Sequence, residues 1–147
     1  ARPGNLTPEE VQAEARGYFE QWYKRSEEAL RLARTAVEQG SLNWAAFMLH
    51  QAVESAYHCV LLTRTLYSPK LHNLEKLRGM AEGVAPELIE AWPRKRRWER
   101  RPFNKIVRAY VEARYSPSYS ISLEELILSQ NHIKNLHIII KNIYGAL

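Results

Sequence analysis

The sequence predicts an all-α, up-and-down bundle of four to five helices forming a single domain. Three observations carry that prediction. Apolar residues recur at steps of three and four, helix-capping signals precede those stretches, and strand signals are nearly absent. At 147 residues the chain has the length of one domain, enough to bury about two-thirds of its unfolded surface. No repeat of solenoid period and no low-complexity tract interrupts it.

The first helix starts at Thr7-Pro8-Glu9-Glu10, where Thr7 caps, Pro8 suits the first turn and Glu10 completes a capping box. Val11, Ala15, Tyr18, Phe19, Trp22, Ala29, Ala33 and Val37 form its stripe, with a wider gap at Ser26, and Gly40 ends it. Ser41 or Asn43 opens the second helix, which carries Ala46, Leu49, Val53, Ala56, Tyr57, Val60 and Leu61 and stops at Ser68-Pro69. A shorter helix follows on Leu74, Leu77 and Met80, then one further turn over 87–91. Residues 92–102 read as a basic connecting segment or frayed helix closed by Pro102. Phe103, Ile106, Val107, Tyr110 and Val111 define the fourth main helix, ending near Tyr115 because Ser116 precedes Pro117. Ser122-Leu123-Glu124-Glu125 caps the last helix. Residues 1–6 are expected to be a tail and 7–147 the domain.

The net charge of +5 is local. Arg94, Lys95, Arg96, Arg97, Arg100 and Arg101 supply six of the 21 basic residues beside one acid, Glu99, which leaves 15 of each sign elsewhere. The high pI therefore reports one patch, a candidate surface for an anionic partner or a solubilising loop. Cys59 is the only cysteine, so internal disulfides and paired-cysteine zinc sites are excluded and a reducing, cytoplasmic setting is expected. No apolar run approaches the ~18 residues that cross a bilayer, and the first residues lack the apolar stretch of a signal peptide. The absent initiating Met leaves open processing or excision from a longer chain. Gly-rich phosphate loops, the Gly-x-Ser-x-Gly turn and Cys-x-x-Cys pairs are all missing.

What remains is a polar set on apolar helices. His50, Glu54 and His58 stand at i, i+4 and i+8 on one face. Because His50 and His58 lie about 12 Å apart along the axis, one metal ion reaches at most two of the three, and no metal or other cofactor is expected. Packed, hydrogen-bonded imidazoles with Glu54 aimed at Arg114 or Arg64 are the simpler arrangement. Arg114 closes the fourth helix and offers a planar donor fork to a phosphate, or an ion pair to Glu54 or to a partner's Glu112. Tyr115 and Tyr119 flank the Ser116-Pro117-Ser118 turn, to stack on a base or to wedge two helices. The last helix is apolar well round its circumference at Ile138-Ile139-Ile140, which suggests a second buried face and a homodimer.

Two segments, Phe47 to Tyr57 and Ala109 to Pro117, also carry a resemblance. Their strings His50-Gln51-Ala52-Val53-Glu54 and Ala109-Tyr110-Val111-Glu112-Ala113-Arg114-Tyr115-Ser116-Pro117 resemble the HEPN family. The chain is most similar to HEPN domains fused to, or paired with, nucleotidyltransferases. The resemblance runs from about residue 15 to about residue 140. It implies a helical domain that binds nucleotide or cuts RNA, dimerises and works beside a nucleotidyltransferase. HEPN ribonucleases place a His after an Arg with four to six residues between the two. After Arg114 the permitted positions 119–121 hold Tyr119, Ser120 and Ile121; after Arg64, His72 falls one step too far. A phenol with a pKa near 10 holds its proton at neutral pH and makes a poor base.

The expected function is thus a non-catalytic, dimeric HEPN domain whose nucleotide or phosphate site uses Arg114, Tyr115, Tyr119, His50 and Glu54. The alternatives are a toxin-like ribonuclease, of the kind found in toxin–antitoxin pairs, with an atypical base such as His72, and a purely structural dimerisation module.

Overall fold

A computed structural model describes residues 5–147. The expected tail at 1–6 therefore lies outside the described residues at positions 1–4. Five α-helices and one short 3-10 helix follow in order: α1 Pro8–Glu38, α2 Leu42–Thr65, α3 Leu74–Val84, the 3-10 helix Pro86–Ala91, α4 Arg97–Tyr115 and α5 Leu123–Tyr144. Among the described residues there is no strand, and no helix is long and apolar enough to cross a membrane.

The ends of α1 follow directly from its caps. The Glu10 amide donates to Thr7 Oγ1 at 3.1 Å, and the Thr7 amide donates to Glu10 Oε1 at 3.0 Å. At the other end Gly40 takes a positive φ of 76°, where a side chain would be strained. There the Ser41 amide reaches the Ala36 carbonyl and Gly40 reaches Val37, which satisfies the last carbonyls and turns the chain back into α2.

α2 is the axis of the molecule. From Leu49 to Leu61 every residue except Gln51 is buried, so this helix is wrapped by α1, α3, α4 and α5 rather than facing one neighbour. His50, Glu54 and His58 consequently lie inside. The gap at Ser26 in the α1 stripe is also no gap. Ser26 is fully buried, donates to the Ala52 carbonyl at 2.5 Å and meets His137 Nε2 at 2.7 Å, joining three helices.

The expected connecting segment 92–102 divides. Helix α4 already begins at Arg97, because Glu99 folds back to accept the Arg96 amide at 2.7 Å and a carboxylate suits a helix N-terminus. Pro102 costs one backbone bond inside the helix, yet it and Phe103 are buried, with Phe103 edge-on to Trp92 at 5.0 Å. Arg94 is not a free surface cation. Its guanidinium forms a two-pronged bond to Glu82 at 2.8 and 2.6 Å, and Arg100 folds onto the carbonyls of Arg94 and Lys95.

Candidate functional site

At its C-terminal end α2 takes a left-handed turn at Leu66, with a φ of 61°. This sends residues 66–73 back along α2 until Asn73, accepting from the Lys76 amide at 3.0 Å, starts α3. The returning loop meets the inner polar face of α2. His58 Nδ1 bonds Ser68 Oγ at 2.5 Å, and its Nε2 bonds the Leu71 carbonyl at 3.3 Å. His50 Nε2 bonds the His72 carbonyl at 3.2 Å and its Nδ1 faces Gln51 Oε1 at the same distance. Burial pushes both imidazoles below their ordinary pKa, so they are neutral hydrogen-bonding struts for the loop.

Glu54 points to neither Arg114 nor Arg64. Its Oε1 accepts from His72 Nδ1 at 2.9 Å, with His50 Nδ1 farther off at 3.8 Å. A carboxylate only accepts, so Nδ1 of His72 carries a proton and donates it to Glu54. The His72 side chain is 57% exposed. A cleft of about 520 Å³ opens beside it, lined by Trp22, Arg25, Glu54, His58, Lys70 and His72 among others. The Arg25 guanidinium lies 4.2 Å above the Trp22 ring.

From His72 a row of rings leads to α4. The His72 imidazole stacks on Tyr110 with 4.6 Å between centroids, and Tyr110 lies 5.0 Å from His50. Arg114 sits at the far end. Its Nε and Nη2 donate to the Tyr110 carbonyl one turn back, and its Cζ lies 4.6 to 4.9 Å from the rings of Phe47, Tyr110 and Tyr115. Among the described residues no carboxylate pairs with it, and it is only partly buried. A guanidinium held by rings and one carbonyl keeps its positive charge uncancelled, with donors left over for an anion.

Four of the five residues expected at the site thus gather around the α2–α4 seam: His50 and Glu54 on one side of Tyr110, Arg114 and Tyr115 on the other. Tyr119 does not join them. Only 4% exposed, it donates from its hydroxyl to the Lys105 carbonyl at 3.0 Å, and burial raises its pKa to about 12. It is the wedge between the turn and α4. Sequence reasoning gave no ligand role to Tyr110, Phe47 or Arg25, and considered His72 only as a substitute base. Tyr110 stood inside the quoted motif, but nothing in the periodicity signals the loop return that brings His72 onto it. Among the described residues no group of three His, Cys, Asp or Glu side chains is arranged to hold a metal ion.

Comparison with known proteins supplies one match. The family model described as HEPN domain matches residues 19–143. No curated protein matches the chain.

Proposed function

The chain belongs to the HEPN domain family, and on that premise we propose that it is a non-catalytic, dimer-forming domain that binds a nucleotide or phosphate at Arg114. The supporting observation is the guanidinium itself, fixed over three rings and a carbonyl with no acid among the described residues to neutralise it. Tyr115, 72% exposed beside it, offers a ring to a base. A second copy would cover the apolar side chains that α5 leaves outside, namely Leu123, Ile127, Leu128 and Ile138. A nucleotidyltransferase domain or protein is the partner that would supply chemistry.

The test is a titration with ATP, GTP and a short RNA, following thermal stability and RNA integrity together. Stabilisation by nucleotide without loss of RNA is the expected result, since a ligand that binds only the folded state raises its stability. Absence of stabilisation by either nucleotide contradicts the reading.

One observation favours a second reading, ribonuclease activity. Glu54 accepts from Nδ1 of His72, whose ring lines the cleft, as a carboxylate orients a general base. The ring row joins that base to the cation that would hold the phosphate. RNA loss that disappears in both His72→Ala and Arg114→Ala supports this reading against the first.

A further inference from the structure

We infer that the outer face of α4 is a docking groove for a single-stranded polynucleotide held through its phosphate backbone. Arg97, Arg101, Lys105 and Arg108 follow one another at steps of four, four and three residues, so they share one side of the helix. Each lies about 4.5 to 6 Å farther along the axis than the last, a step comparable to that between phosphates of an extended strand. With Trp98 and Asn104 they line a groove of about 440 Å³.

Partner accounting makes the groove electropositive. Arg97 and Arg101 are exposed and have no hydrogen bond or ion pair among the described residues. Lys105 rests on a neutral acceptor, the Ser120 carbonyl, at 2.5 Å. Arg108 alone meets an acid, Glu112, in a two-pronged bond at 3.0 and 2.9 Å on the surface. Four cations therefore face one carboxylate, which does not itself line the groove.

Composition separates a polynucleotide from an acidic protein. A stable protein interface needs an apolar centre depleted of charge, whereas this groove has no aliphatic lining residue. Its one apolar group is the Trp98 ring, 63% exposed and unstacked among the described residues. An indole standing free between cations is a platform for an unpaired base. Duplex keeps its bases stacked inside and cannot use it. At 100° per residue, Tyr110 and Arg114 project from nearly the opposite side of α4, so the groove is separate from the Arg114 site.

The experiment is fluorescence anisotropy of a labelled short oligouridylate with the full chain over a salt series. Binding should weaken with salt at a log–log slope of roughly −2 to −3, reflecting three to four phosphates at about −0.7 each. The double variant Arg97→Glu/Arg101→Glu should lose at least tenfold while keeping the wild-type circular dichroism and the wild-type response to ATP. Trp98→Ala should weaken binding about tenfold with the salt slope unchanged. Duplex of equal length should compete poorly. No binding by wild type, equal binding by the charge-reversed variant, or polyglutamate competing as well as oligouridylate would each overturn the inference.

Discussion

His72 donates from Nδ1 to Glu54 Oε1 at 2.9 Å across 18 residues of sequence. The two ends of that bond are unequal. Glu54 is almost sealed, with 11% of its side chain exposed, while the His72 side chain is 57% exposed.

Removing the buried end should therefore cost more. Glu54→Ala deprives His72 of its acceptor and opens a void, and should destabilise by about 1–3 kcal/mol. His72→Ala should cost less than about 1 kcal/mol, since water replaces what it loses. Urea unfolding of the two variants checks the order. Equal losses would mean that the loop, rather than the carboxylate, is the structural element.

Ser26 has a single proton and donates it to the Ala52 carbonyl, so His137 must donate from Nε2 to the Ser26 oxygen. Ser26→Ala leaves the buried His137 Nε2–H without an acceptor, whereas the Ala52 carbonyl keeps its helical bond within α2, and about 1–3 kcal/mol should be lost. Chemical denaturation measures it. A loss below 1 kcal/mol would mean that the three-helix junction does not depend on this hydroxyl.

The same junction sets a pH dependence. Burial, with Arg34 adding repulsion, lowers the pKa of His137 from 6.5 to about 4. Between those values the unfolded chain takes up a proton that the folded chain refuses, so stability falls as pH drops from about 6.5 to about 4 and this contribution then levels off. The loss approaches about 3 kcal/mol at 1.36 kcal/mol per unit. His50, His58 and His132 are shifted downward by burial and add in the same direction. Unfolding free energy measured across that range should decline, and His137→Gln should flatten the decline.

Tyr119→Phe tests the wedge. It removes the bond to the Lys105 carbonyl and should cost about 1 kcal/mol with nucleotide affinity unchanged. A drop in nucleotide affinity without loss of stability would return Tyr119 to the ligand.

Periodicity and capping residues placed the helices, because Thr7, Gly40 and Ser122 act through local bonds that the sequence spells out. The early start of α4 was hidden by Pro102, whose local penalty is outweighed by burying Phe103 against Trp92. At the candidate site the α2 and α4 contributions were legible as polar residues on apolar helices. The Glu54–His72 bond was not, since it depends on where a loop of no periodicity lands after the left-handed Leu66. The place of Arg114 at the close of α4 was legible but not its partners, because an arginine pairs equally well with an acid or with a set of rings, and only packing decides.

Calorimetric titration of ATP into the wild-type chain and Arg114→Ala, side by side, measures whether the Arg114 guanidinium holds a phosphate. Wild type should bind measurably and the variant should lose roughly 1.5–3 kcal/mol, the worth of hydrogen bonds to a charged group. Arg114→Lys should recover only part of it, because the fork is gone. Equal affinity in wild type and Arg114→Ala would contradict phosphate binding by Arg114.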